Sequence, residues 1–181
     1  MPFINTPTDP KLLFKSGSGL ELCLTPHLSQ RQVGPNNRHP MQEGDLRIVI
    51  ARTKDGKLLA TRYRPKIRGQ KKPAAAYFET QAAGREEFDE IAEWNDLPMH
   101  FAQDKDGYTL EVAIPWAATA VQPVPGVKFL ADAGVIYGDA GGGRNAARAM
   151  WSDRTPEVGV NNDIPTESRM HPNGWGAVQL E

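Results

Sequence analysis

Four tryptophans, Trp94, Trp116, Trp151 and Trp175, stand at or just beyond the ends of segments that read as strands. An indole in such a place either plugs the end of a sheet sandwich or stays open to a ligand. An open indole offers its face to the C–H groups of a sugar ring, while amides, carboxylates and guanidinium groups take the hydroxyls. Behind Trp151 runs "SDRTPEVGVNNDIPTESRMHPNG", which carries Asp153, Arg154, Asn161, Asn162 and Asp163. Those side chains suit polyol hydrogen bonding and calcium coordination equally well. A polar segment this long with little secondary-structure signal is functional or disordered in a compact domain. The expected binding set is Trp151 as stacking platform, Arg144, Asp153, Asn162 and Asp163 on hydroxyls, and Trp94 as a weaker second platform. Trp116 and Trp175 are expected to plug the core.

Other chemistries find less support. His27, His39, His100 and His171 lie far apart, without the H-E-x-x-H or paired His/Cys spacing of a zinc site, and each reads as a surface residue. "SGSGL" at Ser16–Leu20 lacks the spacing of a hydrolase nucleophile and reads as a turn before a strand. Paired carboxylates for glycoside hydrolysis cannot be picked out from one sequence. "IYGDAGGGRNAARAMW" has the glycines of a phosphate cradle but neither G-K-[ST] nor G-x-G-x-x-G, so it reads as a β-hairpin. The one cysteine, Cys23, sits in an alternating strand run and excludes a disulfide within the chain. No catalytic residue is assigned.

The elements that must hold these residues are strands. Ten short segments bounded by Gly, Pro, Asp or Asn recur along the chain: 20–24, 46–52, 58–63, 74–78, 88–94, 99–102, 108–114, 127–137, 144–151 and 177–180. Asp55-Gly56 and Asp106-Gly107 mark hairpins. Phe129, Ala131, Ala133, Val135 and Tyr137 alternate with Leu130, Asp132, Gly134 and Ile136. "GREEFDEIAEW" also carries apolar residues three apart, but its neighbours favour a strand. The fold class this predicts is all-β, a two-sheet antiparallel β-sandwich of the jelly-roll or immunoglobulin-like kind. At 181 residues the chain is one domain, 13–181, after a lead-in over 1–12. Lys plus Arg number 21 against 22 Asp plus Glu, so no global charge favours nucleic acid. No apolar run reaches the ~18 residues of a membrane span, and the first residues lack a secretory signal pattern. The basic run Arg62, Arg64, Lys66, Arg68, Lys71 and Lys72 and the acidic run Glu86 to Asp96 read as solvated charges that pair across a sheet, with Arg62, Arg64 and Lys66 on the wet face of an edge strand, in preference to a polyanion groove.

Taken in order, "LFKSGSGLELCL", "EGDLRIVIARTKDGKLLATRYRP", "GYTLEVAIPW", "PGVKFLADAGVIYGDAGGGRNAARAMWSD" and "NNDIPTESRMHPNGWGAVQL" resemble the family-9-like carbohydrate-binding domain of the DOMON-like superfamily. The resemblance spans Leu13 to Leu180. It implies a non-catalytic sandwich that binds an oligo- or polysaccharide, sometimes with structural calcium, joined to other domains of a bacterial periplasmic or extracellular protein. Two departures stand out. Domains of that kind begin with one or two further strands, whereas only Met1–Leu12 precede the match, which implies a shortened N-terminus and a bare sheet edge. Ser18 also stands where an acidic residue is usual. The superfamily implies one alternative, a haem-binding electron-transfer domain, for which Met41, Met99, Met150 and His100 are the available ligands; a further alternative is a structural sandwich packed on a neighbouring domain.

Overall fold

The computed structural model describes residues 3–70, 76–155, 159–160 and 163–181. The chain forms an all-β antiparallel sandwich. Its strands are β1 (Gly19–Thr25), β2 (Leu46–Arg52), β3 (Leu58–Arg64), β4 (Ala76–Thr80), β5 (Gly84–Phe88), β6 (Glu90–Glu93), β7 (Met99–Gln103), β8 (Tyr108–Val112), β9 (Lys128–Gly138), β10 (Asn145–Met150) and β11 (Gly176–Gln179), with one short helix, α1 (Ile164–Ser168). The main sheet has seven strands in the order β10-β9-β1-β2-β3-β6, and β11 adds to β9. Two hairpins, β4-β5 and β7-β8, pack over it.

The alternation read along β9 sorts the main sheet into two apolar faces. Leu24, Leu46, Ile48, Ile50, Ala60 and Phe129 join Trp94, Leu97 and Val121 on one face, beneath the β7-β8 hairpin. Cys23, Val49, Ala51, Tyr63, Ile91, Leu130 and Ile136 form the other with Leu13, Phe14, Phe88 and Trp175. A central sheet apolar on both sides must be covered on both sides. The expected hairpins at Asp55-Gly56, Asp106-Gly107 and the triple glycine are all present. In the last, the Gly143 and Arg144 N–H groups donate to Asp139 and hold its carboxyl below the ordinary carboxylate range.

Three segments depart from the sequence reading. The segment 88–94 is strand but breaks at Asp89, whose carboxylate accepts the Ile67 N–H at 2.8 Å while its own N–H reaches Pro65. The break sends Gly84–Phe88 to the β4-β5 hairpin and Glu90–Glu93 to the main sheet. β3 is therefore an inner strand between β2 and β6 rather than an edge. The charge pairing expected across the sheet does occur, with Arg62 on Glu90. Finally, the polar stretch after Trp151 contains α1, capped by Asp163, whose carboxylate accepts the Thr166 N–H at 2.7 Å.

Buried charges fasten α1 to the main sheet. Arg47 on β2 makes a two-point contact with Glu21 on β1, at 2.9 and 3.0 Å, and donates to the Glu167 carbonyl at 2.9 Å. Glu167 in turn accepts from Arg148 at 2.9 Å and pairs with Lys15. Burial alone would raise the Glu21 pKa, but Arg47 and Arg148 outweigh it and leave the carboxyl below its ordinary value. A depressed carboxyl stabilises the fold above its unfolded pKa, and that stability is lost as pH falls through the folded value. Glu21→Gln leaves the Arg47 charge buried without its partner and is expected to cost about 3–5 kcal/mol at neutral pH. Thermal unfolding from pH 7 downward checks this: the wild-type advantage over Glu21→Gln shrinks as acid protonates Glu21.

Candidate functional site

The site is built at a junction on the outer edge of β9. β11 pairs with residues Lys128–Ala131 of that edge and β10 with Gly134–Gly138, which leaves Asp132 and Ala133 between them. The chain leaving β10 closes the gap: Trp151 N–H donates to the Ala133 carbonyl at 2.7 Å. The buried Asp132 carboxylate then accepts Ser152 N–H on one oxygen and Asp153 N–H on the other, both at 2.8 Å. Charge-assisted bonds of this kind stand in for the missing ladder. They fix the turn Trp151–Thr155, which has a depression on either side.

On the β7-β8 side lies an apolar groove of about 540 Å³, walled by Leu110, Val112 and Ile114 and floored by Leu20, Leu22, Ala133, Val135 and Ala149. Trp151 stands at its rim, 59% exposed, with Arg154 beside it. The indole crosses Gly176 so closely that a Cβ there would meet the ring at 2.6 Å.

On the opposite side lies a polar pocket of about 270 Å³, lined by Asp153, Thr155, His171, Asn173, His39 and Val33 among others. Its walls are held by polar ties. Asn173 exchanges two bonds with the Arg31 backbone, each 2.8 Å, and the Arg31 guanidinium is gripped by buried Asp45 through two contacts of 2.6 Å. His39 and His171 meet edge to face, 5.2 Å between ring centres. Asp153 is only 2% exposed; its Oδ1 accepts Thr155 N–H and O–H at 2.9 and 2.7 Å. Its Oδ2 is buried and has no hydrogen-bond partner among the described residues. A buried carboxylate oxygen without a donor is costly, and an incoming O–H or N–H offsets that cost. The carboxylate fits here because residue 174 lacks a side chain: a Cβ on Gly174 would lie 2.4 Å from Asp153 Cγ.

The structure separates the residues that the sequence grouped. Trp151 and Asp153 open on opposite sides of the turn, since Trp151 follows the pleat of β10 while Asp153 is drawn the other way by Asp132. Arg144 lies at the far end of β10, roughly 20 Å from Trp151 at the rise of a strand, too far to share one sugar ring with it. Asp163 caps α1. Asn162 and Asn161 lie outside the described residues. Trp94 is 6% exposed and sits in the core beneath Arg62, so no indole face is left for a ligand. Trp175 is buried as expected, whereas Trp116 is half open against the edge of Phe129. The haem-ligand candidates are divided as well: Met41 packs on the α1 face, Met99 on the opposite face, Met150 against Gly134, and His100 is exposed. Among the described residues no three His, Cys, Asp or Glu side chains are grouped to hold a metal ion.

Sequence reasoning missed His171, His39 and Asn173. The sequence gives His171 the look of a surface residue, whereas the fold buries it. The available signal was "DIP", an Asp cap followed by proline, which marks a helix start at Ile164 within what otherwise reads as a free loop. Compared with protein-family models, curated proteins and solved structures, the chain matches none. Asp132→Ala removes the acceptor for the Ser152 and Asp153 N–H groups, at roughly 1–3 kcal/mol for each donor left buried without a partner. A denaturant titration of this variant is expected to show a matching fall in midpoint.

Proposed function

We propose that this chain is a non-catalytic carbohydrate-binding domain whose contact with the sugar is the polar pocket at Asp153. The observation that carries the reading is the buried Asp153 Oδ2, which lines a pocket and has no hydrogen-bond partner among the described residues. A sugar hydroxyl donates to that oxygen, and the neighbouring hydroxyls exchange bonds with imidazole and carboxamide groups, which both donate and accept. A pocket of about 270 Å³ is near the small end of preformed ligand sites, in keeping with one ring or a chain end. Among the described residues that line it, Asp153 is the one carboxylate, and cleavage of a glycosidic bond takes two, which supports the reading of binding without hydrolysis. The sequence resemblance to a carbohydrate-binding domain points the same way, and with it to a module within a larger protein outside the cytoplasm.

Isothermal titration against a panel of mono- and oligosaccharides tests the proposal. Asp153→Asn keeps the shape but removes the charge, and loss of a charge-assisted bond is worth about 1.5–3 kcal/mol, or roughly 10- to 150-fold in affinity. Binding that is unchanged in Asp153→Asn, or no heat with any sugar, contradicts it.

A further inference from the structure

The apolar groove on the other side of the turn calls for a different partner. Among the described residues β8 pairs only with β7, in the register Met99↔Val112 to Gln103↔Tyr108. Ala113 N–H donates to the Pro98 carbonyl and Asp104 N–H to Gly107, each at 3.0 Å. In an antiparallel pair the hydrogen-bonded positions alternate, so Thr109, Glu111 and Ala113 turn their backbone groups toward β7. Leu110 and Val112 therefore turn theirs away from β7, toward the groove, and no described residue bonds them. An open edge lies directly above an apolar floor.

Each feature excludes some occupants. A lipid chain or other apolar small molecule covers the floor but leaves the Leu110 and Val112 backbone groups without partners. A helix, some 10–12 Å across, satisfies no strand edge either. A second copy joined through its own β8 is barred by shape, because the main sheet of each copy extends past β8 and the two floors would occupy the same space. What fits is a single extended strand about 4.8 Å from β8, its backbone paired with Leu110 and Val112 and every second side chain on Leu22, Ala133 and Val135. Of the charged residues lining the groove, Glu21 has its carboxylate on the opposite face, bound to Arg47, so Arg154 supplies the charge at the rim. The geometry points to an edge-docking site on β8 for an extended peptide of a partner protein, apolar at alternate positions and acidic where it passes Arg154. This site is separate from the Asp153 pocket.

Amide hydrogen exchange tests it on the whole chain, with millimolar acetylated Val-Thr-Val-Thr-Val-Glu and the reversed sequence as probes. Either peptide is expected to slow exchange at Leu110 and Val112 at least tenfold and to shift the Trp151 emission, while the same peptide N-methylated on alternate residues does neither. Arg154→Glu is expected to weaken binding several-fold, with recovery when the peptide Glu is replaced by Lys. Unprotected Leu110 and Val112 amides with both peptides, or equal binding by the N-methylated form, overturn the proposal; so does protection that grows with protein concentration in the absence of peptide.

Discussion

The arrangement around the site depends on the Asp132 carboxylate. Where the edge of β9 passes from β11 to β10, regular pairing stops, and a buried side chain supplies the acceptors that the ladder lacks. Each of its oxygens takes one backbone N–H of the Trp151–Thr155 turn. Those two bonds set which way the chain leaves the sheet. They also decide that Trp151 and Asp153, two residues apart, serve different depressions.

The two faces of the main sheet are closed by different physics. On the α1 face, Glu21, Arg47, Arg148 and Glu167 form a buried charged network that ties strands, helix and, through Lys15, the segment before β1 together. Such groups stabilise little against an apolar core of the same shape, but removing one member strands its partner. They fix position, and the polar pocket inherits that rigidity through His171 and Asn173 on the segment after α1. On the other face a two-stranded hairpin covers part of a much wider sheet. Aliphatic side chains and a strand edge remain open there. One side is suited to a small polar ligand and the other to an extended apolar one.

Much of the fold was legible in the sequence because strands write a period of two and turns write Gly and Asp. The β9 alternation, the three hairpins and the all-β class all came from those signals. The break at Asp89 left no such mark, since it depends on hydrogen bonds to Pro65 and Ile67, more than twenty residues away. The site was legible only in part. Trp151 is exposed beside a groove, and Asp153 lines a pocket, yet sequence proximity implied one shared depression where the structure has two. Trp94 shows the same limit: a tryptophan after a strand gives no sign of whether its ring turns outward or under an arginine. His39 and His171, 132 positions apart by their numbers, meet only through the fold.

Titration of unlabelled sugars into the 15N-labelled chain, followed by amide and indole resonances, tests the central claim most directly. Shifts confined to Asp153, Thr155, His171, Asn173 and Gly174, with the Trp151 indole still, are the result the account predicts. A sugar that moves the Trp151 indole and leaves those five amides in place contradicts it.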